Sequence, residues 1–197
     1  GQRFLDYDTP LTMAETASVF GEILIFESLK NQASSDGEKL SLLAQKIEDV
    51  IATVFRQIAM YKFEARAHYY FRESGRISTE QLNAWWNEEQ QAIFGSSLLL
   101  RPEHGCWWMY VPHILHTPFY VYAYAFGELL TLSLYAKCKA GEPDFEERYV
   151  RLLSAGGSRS PEELLADFGA NISDANFWKG GLRVFENFLE EAEELAR

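Results

Sequence analysis

Three groups of side chains in this sequence have the types and spacing that chemistry requires. The first is acidic. Glu15, Ser18 and Glu22 stand three and seven residues apart, so a helix would stack them on one stripe. They run among Val19, Phe20, Ile23 and Leu24, a setting in which buried carboxylates must be paired, hydrogen-bonded or bound to metal. The stripe reads either as a functional set or as a row of surface ion pairs. Thr12-Met13-Ala14-Glu15 also has the form of a capping box, which would give Glu15 a purely local role. The second group is His104, Cys106, His113 and His116. Imidazole and thiolate are zinc ligands, but this spacing follows no structural zinc pattern. The third is Phe119-Tyr120-Val121-Tyr122-Ala123-Tyr124-Ala125-Phe126, where helical geometry puts Tyr120 and Tyr124 on one face with Gly127 and Glu128, and Tyr122 nearly opposite. Such a band either packs into a core or turns its hydroxyls to a cleft, where phenols stabilise a developing oxyanion.

Other chemistries find no residues here. Gly156-Gly157-Ser158-Arg159-Ser160 is not a nucleophile elbow and no strand pattern precedes it. The sequence contains no phosphate-binding glycine loop, no dinucleotide fingerprint and no His-Glu-x-x-His.

The elements that must position these groups are helical throughout. An apolar run after Thr12 predicts a helix to about Leu29, and Asn31–Gly37 is a polar break. From Glu38 to Glu73 the period is helical, with Leu40, Leu43, Ile47, Val50, Ile51, Val54, Phe55 and Ile58 in register. That span exceeds common helix lengths and predicts a kink or break inside it. His68 within it reads as a satisfied, partly buried imidazole. Ser78 starts a helix that ends near Gly95, and Cys106–Val111 is the one stretch with strand character. Thr117-Pro118 reads as N-cap and first helical residue of a helix running to Ala140. Further helices are expected over Phe145–Ser154, over Pro161–Phe168 with Ser160 and Glu163 as a capping box, and over Asn176–Arg197. The class is all-α, and 197 residues suit a single helical domain spanning 1–197.

Composition narrows the function classes. With 47% hydrophobic and 24% charged residues the chain can bury a conventional core. A net charge of −11 without a Lys/Arg cluster excludes a nucleic-acid partner. Two cysteines, Cys106 and Cys138, make no disulfide framework and suit a reducing, cytoplasmic setting. Pro118–Ala136 approaches membrane-spanning length, but Glu128, Gly127 and its tyrosines suit a buried or cleft-lining helix, so no membrane span is expected.

In order and separation these pieces resemble the oligoendopeptidase F family of zinc peptidases, relatives of thimet oligopeptidase. The resemblance runs through Pro10-Leu11-Thr12-Met13-Ala14-Glu15-Thr16-Ala17-Ser18-Val19-Phe20-Gly21-Glu22, then Phe55-Arg56-Gln57, Phe63-Glu64 and His68. It continues through Val111-Pro112-His113 and Phe119–Ala125, and closes on Gly156-Gly157-Ser158-Arg159-Ser160-Pro161-Glu162-Glu163-Leu164-Leu165. The resemblance implies the C-terminal half of a zincin-type oligopeptidase catalytic domain: a mostly helical body around a deep channel that admits short peptides.

It also implies roles. Glu15 matches the third zinc ligand, beside two histidines of a preceding His-Glu-x-x-His helix, and Glu22 the carboxylate that orients a ligating histidine. Zinc would polarise a water and the motif glutamate would take its proton. His113 matches the substrate-binding histidine; one extra residue before Phe119, relative to the family pattern, leaves His116 as the alternative. Tyr124 is the implied oxyanion donor with Tyr120 as companion and Tyr122 as a further candidate. The Ser154–Ser158 segment would border the substrate channel. The chain opens on Gly1-Gln2-Arg3-Phe4, similar to the tail of the loop after the histidine helix, with Gly1 read as a residue added in cloning. Without that helix the chain is expected to bind zinc weakly, to cleave little and to expose an apolar surface through which it dimerises. The alternative is a stand-alone helical domain that binds peptides or a protein partner without cleaving them.

Overall fold

The computed structural model describes residues 2–197, so the reading of Gly1 lies outside the described residues. Short 3-10 turns at Phe4–Asp6 and Leu11–Met13 lead into α1 (Thr16–Gln32) and α2 (Asp36–Val50). A π-helical turn over Ile51–Phe55 joins α2 to α3 (Arg56–Ser74), which is followed by α4 (Thr79–Phe94). A long 3-10 stretch, Pro102–Tyr110, precedes α5 (Pro112–His116) and α6 (Tyr122–Lys139). The chain closes with α7 (Phe145–Ser154), α8 (Pro161–Ala166) and α9 (Ala175–Leu195). Among the described residues there is no strand, as the all-α expectation requires.

Helix ends follow local chemistry where the sequence carries it. Ser78 accepts the Gln81 N–H at 3.2 Å to start α4, and Gly95 ends it in the left-handed region. Ser160 and Glu163 form the expected reciprocal box at α8, at 3.3 and 3.0 Å. The break expected inside the Glu38–Glu73 period is the π-helical turn, which adds a residue to the helical repeat and rotates the apolar face.

Three local expectations are overturned. α6 starts at Tyr122 rather than Pro118, because Phe119 sits at φ 60° and turns the chain instead of continuing a helix. α1 starts at Thr16 with no side-chain cap, so Thr12 and Glu15 form no capping box; the 3-10 turn Leu11–Met13 occupies that place. Cys106–Val111 has no strand: its residues up to Tyr110 belong to the 3-10 stretch.

The residues pack as two compact units, each with its own core. One comprises the chain up to Val50 together with Phe126–Arg197. Its centre holds Ile23, Leu43, Leu130, Leu132, Leu134, Leu165 and Phe168, all at or below 1% exposure. The second, Ile51–Ala125, is centred on Met60, Phe63, Trp85, Trp86, Val111 and Val121. Each core is closed by ring contacts, such as Phe20 on Tyr149 at 4.4 Å and Phe63 on Trp86 at 5.3 Å. No helix among the described residues is long and apolar enough to cross a membrane.

Candidate functional site

In the first unit α1 presents the acidic stripe. Val19, Phe20, Ile23 and Phe26 take its inner face, which leaves Glu15 half-buried and Ser18 and Glu22 exposed. Glu15 immediately precedes the helix, and its carbonyl accepts the Val19 N–H at 3.0 Å. Ser18 Oγ lies 3.2 Å from Glu15 Oε2 and 3.1 Å from the Glu15 carbonyl, holding the carboxylate over the first turn. Gly127 of α6 backs it: a Cβ there would stand 3.3 Å from Glu15 Cβ.

Next to Gly127, Glu128 is 3% exposed and pairs with Lys46 of α2 at 3.2 Å. Burial pushes the Glu128 carboxyl above its ordinary range; Lys46 opposes that rise, while the charges of Glu22 and Asp49 add to it. The Gly156–Gly157 segment takes the backbone of residues 6–8 at close range. The Gly157 N–H donates to the Asp6 carbonyl at 2.8 Å, and a Cβ on Gly157 would fall 2.3 Å from the Asp8 oxygen.

In the second unit the structure brings together three of the residues singled out in sequence. His113, one residue into α5, has Nε2 at 3.2 Å from the Tyr124 hydroxyl. Its ring lies parallel to that of Tyr120, at 7° and 5.8 Å between centroids, and Tyr120 meets Tyr124 edge-on at 4.9 Å. His113, Tyr120 and Tyr124 are each part-buried. A phenol and an imidazole sharing one hydrogen bond supply two polar groups that can turn together to one carbonyl oxygen. The other candidates lie apart. His116 is exposed at the end of α5, and Tyr122 is 42% exposed with its ring against Tyr61 at 5.8 Å.

Glu64 organises this group, a role that its residue type alone does not reveal. The side chain is 1% exposed, and Oε1 accepts the Phe119 N–H at 2.8 Å. Its other oxygen has no hydrogen-bond partner. The bond holds Phe119 in the left-handed conformation that starts the turn into Tyr120 and α6. The Phe119 ring packs on His68 at 4.8 Å, and His68 Nε2 stands 4.0 Å from the same carboxylate. Burial pushes the Glu64 carboxyl above its ordinary range, against the lowering pull of the Phe119 N–H, His68 and His113. A signal was present in the sequence: Glu64 interrupts the apolar stripe of Met60, Phe63 and Ala67, and a carboxylate in that place must have a partner.

His104 and Cys106 belong to the 3-10 stretch, where Cys106 Sγ donates to the Glu103 carbonyl and His104 Nδ1 meets the backbone of Arg101. Among the described residues no three His, Cys, Asp or Glu side chains are grouped to hold a metal ion, so His104, Cys106, His113 and His116 make no such site.

Comparison with known proteins gives one consistent answer. The sequence model of peptidase family M3 matches residues 1–183. An oligoendopeptidase F homolog of Lactococcus lactis subsp. lactis is 29% identical over 194 residues, covering 98% of this chain and 32% of the relative. Oligopeptidase PepF of Bacillus subtilis is 30% identical over 184 residues, 93% of this chain and 27% of its own length. Among solved structures, oligoendopeptidase-F from Enterococcus faecium superposes with a TM-score of 0.86 at 26% identity, over 94% of this chain and 36% of that one. A putative peptidase from Chlamydophila abortus gives 0.89 at 26% identity, over 98% and 32%. The chain thus spans about a third of the length of the relatives it matches.

Proposed function

The chain belongs to peptidase family M3, and from that premise we propose that it forms the substrate-facing C-terminal part of a zinc oligoendopeptidase acting on short peptides. In this reading Glu15 is a zinc ligand, Glu22 the carboxylate that orients a ligating histidine, and His113, Tyr124 and Tyr120 bind the scissile carbonyl. The observation that carries it is the His113–Tyr124 pair at 3.2 Å with Tyr120 stacked beside it.

The family is zinc-dependent, yet Glu15 is one ligand where three protein ligands and a water are the norm, and among the described residues no group of His, Cys, Asp or Glu completes the set. What they can do is bind and polarise. The Tyr124 hydroxyl leaves His113 Nε2 to donate to the peptide oxygen, and the imidazole adds a second donor when protonated. His113 is favoured over His116 because it meets both tyrosines, and Tyr124 over Tyr122 because it alone bonds the imidazole. Free Cys106 and Cys138 suit a reducing, cytoplasmic setting.

By itself this chain cleaves little and binds zinc weakly. The same carbonyl-binding group would also serve the second reading, a domain that holds peptides without cutting them. Incubation with zinc and a fluorescence-quenched peptide, with and without chelator, tests the assignment. No chelator-sensitive cleavage is expected from these residues alone. Cleavage that chelator abolishes would mean that zinc finds other ligands and would overturn the role given to Glu15.

A further inference from the structure

A cavity of about 400 Å³ in the second unit shares no residue with the His113–Tyr124 group. Its walls are apolar: Trp86, Phe94, Leu98, Leu100, Trp107 and Tyr110. Trp107 and Tyr110 leave 55% and 85% of their surface exposed. Its polar groups are Arg56, Gln90 and His104, none of them acidic. Arg56, the first residue of α3, makes no ion pair among the described residues. The Gln90 side chain is 92% buried (8% exposed), and its Nε2 has no partner, so nothing in the fold fixes which end of the amide faces the cavity. His104 Nδ1 lies 3.2 Å from the Arg101 nitrogen and 3.3 Å from the Arg101 carbonyl oxygen, which ties that edge of the ring to the backbone. In a chain of net charge −11, no Asp or Glu lines this cavity.

Apolar walls with a free guanidinium and a buried amide define a ligand that is apolar at one end and anionic at the other. We infer that the cavity binds the C-terminal residue of a peptide, with an aromatic or large aliphatic side chain against Trp86, Phe94 and Leu98 and its carboxylate on Arg56 and Gln90. The volume falls in the range of small-ligand pockets and accepts one large side chain with its carboxylate. Planar two-point recognition of a carboxylate is what a guanidinium does better than an ammonium. The inference rests on no metal and on no catalytic role for His113, so it stands or falls apart from the reaction proposed above.

The test uses the full chain without zinc and a pair of tripeptides, N-acetyl-Gly-Gly-Phe as the free acid and as the amide. Binding is read from tryptophan fluorescence and from the indole amide signals of Trp86 and Trp107. Saturable binding of the acid is expected, about five-fold tighter than the amide. Arg56→Gln should abolish that preference while leaving the far-UV spectrum unchanged, and Gln90→Leu should weaken the acid alone. Equal binding of acid and amide, no saturation, or a preference that survives Arg56→Gln would overturn the inference. So would sedimentation showing that a second copy of the chain covers Trp107 and excludes the peptide.

Discussion

Glu64→Ala removes the one acceptor of the Phe119 N–H and the one polar group that holds a left-handed Phe119 in place. A hydrogen bond to an ionised carboxylate contributes about 1.5–3 kcal/mol, and its loss also strands a backbone donor. An L residue in the left-handed region carries a further cost of about 1–2 kcal/mol that nothing would then offset. Glu64→Ala should therefore lower the stability of the turn by about 3 kcal/mol, and the turn should relax before the core does. Glu64→Gln keeps an amide oxygen for the Phe119 N–H and removes a charge whose second oxygen has no partner. It should lie within about 1 kcal/mol of wild type. Denaturant unfolding gives the global cost; imidazole ¹⁵N shifts of His113 show whether Nε2 still shares the Tyr124 hydroxyl. The expected result is that Ala breaks the His113–Tyr124 pairing and Gln restores it. Equal effects of Ala and Gln, or an unchanged His113 signal in Glu64→Ala, would refute the claim that Glu64 positions this group.

Lys46→Met alone should cost about 3–5 kcal/mol by leaving Glu128 buried and unpaired, and adding Glu128→Leu should recover most of it; chemical denaturation of the three variants checks this. Burial raises the folded pKa of Glu64 and Glu128 above the ordinary value of 4.5, so the stability they lend is fully present below about pH 4.5 and lost as pH rises through their folded values. Glu64→Gln should accordingly flatten the pH dependence of unfolding above pH 4.5, and an unchanged slope would count against a carboxyl titrating there. Gly157→Ala should drive the backbone of residues 6–8 off its seat, lower the melting temperature and speed limited proteolysis within that segment. Tyr124→Phe in a cleavage-competent relative should lower kcat with little change in KM; unchanged turnover would remove the hydroxyl from the reaction.

Helices were legible because their stop and start residues act locally. Ser78, Gly95, Ser160 and Glu163 need only neighbours within one turn, and all four do what their types imply. The break in the long helical period was legible as excess length, whereas its form as a π-helical turn depends on packing that no window of sequence contains. The candidate site was read as residue types in a row, and the acidic stripe and tyrosines were found that way. Glu64 and Lys46 were missed as organisers because each sits inside an apolar stripe whose other members fix the helix face. Their partners, Phe119 and Glu128, lie 55 and 82 residues away.

The start of α6 shows how a distant carboxylate overrides a local helix signal. Thr117-Pro118 has the local form of a helix start, and a helix from Pro118 would have stacked Tyr120 and Tyr124 one turn apart along its axis. The buried carboxylate of Glu64 takes the Phe119 N–H instead, and the helix begins at Tyr122. Tyr120 thereby leaves the helix and lays its ring parallel to His113, while Tyr124, in the first turn of α6, brings its hydroxyl to the same imidazole. The local preference at Pro118 is worth less than a charge-assisted hydrogen bond in a dry interior, so the tertiary contact wins. The grouping of one residue from the first turn of α6, one turn residue and one imidazole exists because the helix starts late.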